Sequence, residues 1–231
     1  IIALLADGHL LVEGAPGLAK TRAIKSLADG IEGSFHRVQF TPDLLPGDVT
    51  GTEIYRPQDA SFNFQKGPIF HNLVLADEVN RAPAKVQSAL LEAMAERQVS
   101  VGSQTYPLPE LFLVMATQNP IEQEGTYPLP EAQLDRFLLH VKVDYPDAVA
   151  ETKILRLTRA EANKTPTPLP KRLSQDAVFA ARTETLALHM ADPVEQYIVQ
   201  LVIATRNPGQ YSEQLANWIE FGGSPRATIA L

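Results

Sequence analysis

Two short segments of this chain carry side chains suited to holding a nucleoside triphosphate and a metal ion. Residues 14–21 read Gly-Ala-Pro-Gly-Leu-Ala-Lys-Thr, and residues 73–78 read Leu-Val-Leu-Ala-Asp-Glu. A glycine-containing loop at the start of a helix binds phosphates through backbone N–H groups, and its lysine adds a positive charge. A hydroxyl and a carboxylate bind the magnesium ion that accompanies the phosphates. The two segments together predict a site for ATP or GTP with Mg²⁺.

The predicted phosphate loop consists of Gly14, Ala15, Pro16, Gly17, Leu18, Ala19, Lys20 and Thr21. We expect Lys20 to reach the β- and γ-phosphates and the Thr21 hydroxyl to bind magnesium. Ala19 departs from the generic loop pattern, which has a second glycine there because glycine allows backbone conformations that alanine resists. The structural alternative is that Lys20 only begins a solvated helix.

The second segment is predicted to be a buried strand that ends in two adjacent carboxylates. Asp77 would complete the magnesium site, directly or through water. Glu78 is suited to orient the attacking water and to accept its proton, which is the work of a general base. The alternative is that both acids only solvate the end of the strand, but this fits a pair that follows Leu-Val-Leu-Ala poorly.

Two polar residues further along the chain also fit this chemistry. Asn119 follows a strand ending at Gln118, where its amide could hold the attacking water or a γ-phosphate oxygen; alternatively, it is a turn residue before Pro120. Arg136 lies at the end of a short helix that begins near Pro130. A well-placed arginine stabilises the charge that develops in phosphoryl transfer, although an ordinary salt bridge would also explain it.

The base of the nucleotide is predicted to be adenine. Guanine-binding proteins of this kind usually carry an Asn-Lys-x-Asp element. Here Asn163-Lys164 is followed by Thr165-Pro166 and does not match.

Strands and helices alternate along the first part of the chain, which predicts an α/β fold with a parallel sheet covered on both faces. The predicted strands are residues 9–13, 35–40, 73–77, 111–118 and 138–143, and the clearest helices are 20–29 and 83–96. Small hairpins are predicted to be inserted near 51–66 and 97–110. We place the nucleotide-binding core at 1–145 and a small all-helical domain at 146–231, with a proline-rich break at 165–170.

Bulk composition narrows the class of protein. The chain has 231 residues, 45% of them hydrophobic, no cysteine and a net charge of −7, which describes an ordinary globular protein. The acidic balance argues against a nucleic-acid partner, since phosphate-backbone binding needs a basic surface. No transmembrane segment is evident, and the lack of cysteine suits the cytoplasm. Both ends read like helix interiors, so we expect a truncated piece of a longer polypeptide.

The motifs resemble those of AAA+ ATPases, and specifically of the MoxR family, over nearly the whole chain. The most specific stretches are 14–21, 41–51 (Thr-Pro-Asp-Leu-Leu-Pro-Gly-Asp-Val-Thr-Gly) and 76–83 (Ala-Asp-Glu-Val-Asn-Arg-Ala-Pro). Residues 116–120, 129–137 and 222–227 add to the match. Ala19 is what that family carries in its loop. The resemblance implies an AAA+ P-loop NTPase core followed by a helical lid domain.

The resemblance also implies roles that spacing alone does not. Asn119 matches the sensor-1 position, Arg136 matches the arginine finger that acts on the neighbouring subunit's nucleotide, and Arg226 matches sensor 2, which reaches the γ-phosphate of its own subunit. Proteins of the family form ring homo-oligomers, usually hexamers. They act as chaperone-like motors on client proteins, often ones with von Willebrand factor A domains.

Three functions therefore stay open at this stage. The first is an ATP-driven remodelling motor, and the second is an assembly module that is gated by ATP with little turnover. The third is a DNA-linked AAA+ motor, against which the net charge and the few basic residues at 97–110 weigh.

Overall fold

The computed structural model describes residues 1–15, 17–18, 20–58, 60–120, 125–162 and 171–231. Two residues of the predicted phosphate loop, Pro16 and Ala19, and the proline-rich stretch lie outside the described residues.

The described elements up to residue 143 are a mixture of strands and helices, and those after it are all helices. The first part contains α1 (Ile2–Leu5), β1 (Leu10–Gly14), α2 (Lys20–Asp29), β2 (Phe35–Gln39), α3 (Pro46–Thr50), β3 (Gly51–Arg56), β4 (Ser61–Lys66), β5 (Leu73–Asp77), α4 (Ala84–Glu96), β6 (Gln98–Val101), β7 (Gln104–Pro107), β8 (Leu113–Gln118), α5 (Glu131–Leu134) and β9 (Leu139–Val143). The second part contains α6 (Ala148–Ala162), α7 (Gln175–Leu186), α8 (Asp192–Arg206), α9 (Glu213–Trp218) and α10 (Pro225–Ala230). None of the helices in the described ranges has the length and apolar character needed to cross a lipid bilayer.

A parallel sheet forms the centre of the molecule, in the strand order β2-β5-β8-β1-β9. Successive side chains of a strand point to opposite faces, so the apolar strands are buried on both sides. On one face Val74 packs in a cluster with Leu90 of α4, and on the other Leu75 packs with Ile24 of α2. The predicted α/β fold with a parallel sheet is thus confirmed.

Strand order decides which chain segments meet at each edge of the sheet. β1 lies between β8 and β9, and β5 lies on the other side of β8. All five strands run in the same direction, so the segments that follow β1, β5 and β8 meet at the carboxyl edge. The segments that precede β1 and β9 meet at the opposite, amino edge.

Two antiparallel hairpins project from the core and touch each other. β3 pairs with β4, and β6 pairs with β7. Phe64 of the first hairpin stacks on Tyr106 of the second, with ring centroids 4.1 Å apart. Tyr55 and Phe62, which are directly paired near the turn of the first hairpin, contact each other and are 51% and 68% exposed. One face of the first hairpin is therefore anchored near its base and exposed near its turn.

Part of the helical region packs directly on the core. Val178 of α7 is fully buried in the cluster that contains Leu75. Arg182 of the same helix donates to the Leu4 carbonyl at 2.9 Å and pairs with Asp7 at 2.7 Å. Asp7 also pairs with Arg97, which ends α4 just before the second hairpin, at 2.8 Å. These charge-assisted contacts join α7, the start of the chain and the base of the second hairpin.

His9 is a buried titratable group in front of β1 and is 5% exposed. Its Nδ1 accepts a hydrogen bond from the Val114 N–H at 3.0 Å, and its ring meets Phe112 edge-on. Burial lowers the pKa of His9 to about 4, and the positive charge of Arg97 contributes to this shift as the second largest cause of lowering. The imidazole is therefore neutral at pH 7.

We expect His9 to make the folded state sensitive to acid. An unfolded-state pKa of 6.5 lies above the folded value of about 4, so the unfolded chain binds the proton more readily between them. The contribution is complete above pH 6.5 and is lost as pH falls towards 4. Linkage gives a loss of about 2 kcal/mol in the free energy of unfolding between pH 7.5 and pH 5.

Urea unfolding of the wild type and of His9→Gln at both pH values measures this loss. The glutamine oxygen still accepts from Val114 but does not titrate, so the variant is expected to lose about 2 kcal/mol less than the wild type. An identical pH dependence in the two proteins would contradict the assignment.

Candidate functional site

The predicted phosphate loop connects β1 to α2 at the carboxyl edge of the sheet. A Cβ at Gly14 would lie 2.6 Å from the Val143 carbonyl oxygen of the adjacent strand, so only glycine fits there. Gly17 has a φ of +84°, in the left-handed region that favours glycine. At these two positions of the connection, the backbone therefore requires or favours glycine.

Lys20 is folded onto this loop and the neighbouring strand. Its ammonium donates to the Gly14 carbonyl at 2.5 Å and to the Gln118 carbonyl at 3.4 Å. Burial is the main influence on the pKa of Lys20 and lowers it, while the nearby carboxylates of Asp77 and Glu78 oppose that shift. Lys20 is therefore a half-buried cation close to both predicted acids, as a phosphate-binding lysine would be.

Asp77 ends β5 and is 8% exposed. Its Oδ2 accepts from the Arg37 guanidinium at 2.6 Å and 3.1 Å, and its Oδ1 accepts from the Thr117 hydroxyl at 2.5 Å. These donors fix the orientation of the carboxylate.

Glu78 follows in the left-handed region, with φ 57° and ψ 50°, which is uncommon for a residue other than glycine. Its N–H donates to the Thr117 hydroxyl at 2.9 Å, which helps hold this backbone conformation. Its Oε2 accepts from Gln39 at 2.8 Å and from Arg81 at 3.0 Å. The turn directs the two successive side chains to different partners, Asp77 to Arg37 and Glu78 to Gln39 and Arg81.

Asn119 directly follows β8 and is 4% exposed. It lines a cavity of about 420 Å³ together with Asn80, Gln118 and Leu129. The Asn80 amide donates to the Asn119 carbonyl at 3.4 Å. The structure thus places Asn119 at the same edge as Lys20, Asp77 and Glu78.

Arg136 and Arg226 lie elsewhere, at the amino edge of the sheet. Both line a cavity of about 840 Å³ together with His9, which precedes β1, and Leu138, which precedes β9. None of the described phosphate-loop residues lines this cavity. A strand of the length of β1 separates the two edges by about 16 Å. Arg226 pairs with Asp135 at 3.0 Å, so in this conformation it is held beside Arg136 rather than at its own loop.

The donors at the carboxyl edge suit magnesium. Mg²⁺ prefers oxygen ligands and is commonly bound by one or two carboxylates together with phosphates and water. Asp77 supplies a buried carboxylate, and Thr21 supplies a half-buried hydroxyl in the first turn of α2. No group of three or more acids, histidines or cysteines suited to a metal occurs among the described residues.

Sequence reasoning missed the residues that organise the acids, which are Arg37 and Thr117 at Asp77 and Gln39 and Arg81 at Glu78. Arg37 lies on the exposed edge strand β2, two residues before Gln39, which is paired with Asp77 in the sheet. Thr117 ends an otherwise apolar run in β8 and is fully buried. A buried threonine on the strand next to a predicted catalytic strand is a signal that could have identified it.

Comparisons with known proteins give a consistent result. Residues 9–139 match the family described as ATPase family associated with various cellular activities (AAA). The chain is 47% identical over its whole length to Chaperone MoxR1 of Mycobacterium tuberculosis and spans 60% of that protein. It is 31% identical to Protein MoxR of Methylorubrum extorquens and spans 71% of it.

A solved structure matches in fold as well as in sequence. The crystal structure of a Cytophaga hutchinsonii protein assigned as an ATPase superimposes with a TM-score of 0.88 at 49% identity. The match covers 99% of this chain and 69% of the other.

Replacing Glu78 by glutamine tests its predicted role as the general base. Glutamine keeps the length of the side chain and can still hydrogen-bond Gln39 and Arg81, but it does not accept the proton. We expect ATP binding to persist and the hydrolysis rate to fall at least a hundredfold, within the range of roughly 10²–10⁴ for a positioned base.

The measurements are a binding titration and a steady-state phosphate-release assay, with Lys20→Ala as the contrasting variant that weakens binding itself. Near-normal hydrolysis by Glu78→Gln would show that Glu78 is not the base.

Proposed function

The chain belongs to the MoxR family of AAA+ ATPases, and from that premise we propose that it binds ATP with Mg²⁺ and hydrolyses it to ADP and phosphate. The observation that carries the proposal is the meeting of Lys20, Asp77 and Glu78 at the carboxyl edge of the sheet. The two acids lie close enough to Lys20 for their charges to oppose the lowering of its pKa. One edge therefore holds a cation for the phosphates, a ligand for the metal and a base for water.

The first group of residues at this edge serves to bind the nucleotide and its metal ion. The loop N–H groups and Lys20 bind the phosphates, with the positive end of the α2 dipole behind them. Thr21 and Asp77 would hold the magnesium ion, which neutralises charge on the phosphates when bound. Arg37 and Thr117 hold the Asp77 carboxylate in a fixed orientation through hydrogen bonds.

Glu78 and Asn119 act in the chemical step. Glu78 accepts the proton of the attacking water, and the Asn119 amide holds that water or a γ-phosphate oxygen. Thr117 contacts both the Asp77 side chain and the Glu78 backbone, so it sets the metal ligand and the base relative to each other.

The arginines are expected to act on the nucleotide of a neighbouring subunit. Since Arg136 and Arg226 share the amino-edge cavity, one subunit cannot bring them to its own loop without a large rearrangement. A head-to-tail neighbour brings its amino edge to that loop instead, and repeated head-to-tail contacts close into a ring. This supports a ring homo-oligomer, which we propose is a hexamer, and it favours the neighbour's nucleotide for Arg226 as well as for Arg136.

We propose that the ring acts in the cytoplasm as a chaperone-like motor on a client protein. One class of client would contain a von Willebrand factor A domain. The exposed Tyr55–Phe62 pair is the surface we assign to that contact, because aromatic residues are enriched in protein interfaces. A Tyr55→Ser, Phe62→Ser protein that still responds fully to its client would contradict this assignment.

The organised base at Glu78 favours a motor over an assembly module with little turnover, and the net charge of −7 disfavours a DNA-linked motor.

Mixing inactive variants tests whether the site is shared between subunits. Arg136→Ala and Lys20→Ala, each inactive alone, are expected to regain ATPase activity when mixed, because some intact loops then face intact arginines. Arg226→Ala is expected to complement Lys20→Ala in the same way. Arg136→Ala mixed with Arg226→Ala is the matched control and should stay inactive, since both changes damage the same edge.

Co-purification through a tag on one variant confirms that mixed rings form. Recovery in the Arg136→Ala and Arg226→Ala mixture, with none between Arg226→Ala and Lys20→Ala, would show that Arg226 acts on its own subunit. No recovery between Arg136→Ala and Lys20→Ala in mixed rings would contradict the shared site altogether.

A further inference from the structure

Asp135 connects the core to the helical region at the amino edge. It follows α5 directly, and its two carboxylate oxygens have different partners. Oδ1 accepts from the Ser224 hydroxyl at 2.6 Å, and Oδ2 accepts from the Arg226 guanidinium at 3.0 Å. Ser224 also caps α10, because its Oγ accepts the Arg226 backbone N–H at 3.0 Å. One carboxylate therefore holds both the beginning of α10 and the arginine next to that cap.

The residues that line the cavity carry more positive than negative charge. Three arginines line the cavity, Arg97, Arg136 and Arg226, and so do two aspartates, Asp7 and Asp135. Asp7 pairs with Arg97 at 2.8 Å. Asp135 is thus the carboxylate left to offset the other two guanidinium groups.

Arg136 is held differently from Arg226. It is the next residue after Asp135, and its Nε is buried and makes no hydrogen bond within the described part of the chain. Its backbone N–H donates to the Gln133 carbonyl at 3.2 Å, which continues the turn of α5. The position of the Arg136 backbone is thus fixed by the turn of α5. The half-exposed Arg226 side chain is instead held by an ion pair.

We propose that Asp135 is a positioning residue for the ATPase reaction, holding Arg226 alongside Arg136 so that both guanidinium groups meet the neighbour's phosphates together. The proposal rests on the shared site proposed above. An arginine side chain loses substantial rotamer freedom when it is ordered, and a fixed carboxylate removes part of that cost before the nucleotide is engaged. The same carboxylate reduces repulsion between the two cations.

The first test compares Asp135→Asn with the wild type in ATP binding and in turnover. Asparagine keeps an oxygen for the Ser224 hydroxyl but loses the charge that holds Arg226. We expect kcat to fall about tenfold or more while the affinity of the subunit's own loop for ATP stays within about twofold. Glu131→Gln, an exposed acid on the same short helix, is the matched control and should leave both values unchanged.

A double-variant comparison then shows whether Asp135 acts through Arg226. In single-turnover measurements, which resolve the residual rate of Arg226→Ala, we expect Asp135→Asn with Arg226→Ala to be no slower than Arg226→Ala alone, because the charge has no further arginine to position. Multiplying defects, an unchanged kcat or a raised kcat would each overturn the proposal. Thermal unfolding and ring mass of each variant show that the fold is retained.

Mixing separates this proposal from the shared site beneath it. Asp135→Asn should complement Lys20→Ala but not Arg226→Ala. If Arg136→Ala complements Lys20→Ala and Asp135→Asn does not, the positioning role is wrong and the shared site stands. If neither complements, the shared site is wrong, and this positioning role towards the neighbour's phosphates is wrong with it.

Discussion

Because the five strands of the sheet are parallel, the candidate site residues of one chain lie at two opposite edges of the sheet. The carboxyl edge receives the end of β5 with Asp77 and the segments after β1 and β8, which carry Lys20 and Asn119. The amino edge receives the segment before β9, which carries Arg136. Because the central strands β1, β5 and β8 are buried among apolar side chains, the residues at their carboxyl ends cannot move to the amino edge without disrupting the core. If Arg136 serves the nucleotide as proposed above, a complete site needs two copies of the chain, and the proposed ring satisfies this requirement.

Within the carboxyl edge, Thr117 is the residue that contacts both acids. Its buried hydroxyl donates to Asp77 and accepts from the Glu78 backbone, and so connects β8 to the end of β5. The left-handed conformation of Glu78 is a strained choice that this contact helps maintain. At the amino edge the corresponding residue is Asp135, which connects α5 to α10. Each edge thus contains a polar side chain that joins two chain segments.

Local patterns predicted the strands, the phosphate loop and the two acids, because each lies within a single segment whose apolar period or residue order is characteristic. Arg37 and Thr117 were not predicted, because their importance depends on which strands are neighbours in the sheet, and a chain segment does not encode that order locally. The position of Arg226 was also beyond local reasoning. It depends on how α10 packs against the core, through the contact between Arg226 and Asp135. These two residues are 91 positions apart in the sequence, so no short motif contains both.

The most direct test of the account is the dependence of ATPase activity per subunit on protein concentration, measured at saturating ATP together with the mass of the assembly. If each site is completed by a neighbour, activity per subunit is low for the dilute monomer and rises steeply as rings form. A constant activity per subunit across the range in which the mass changes from monomer to ring would contradict the account.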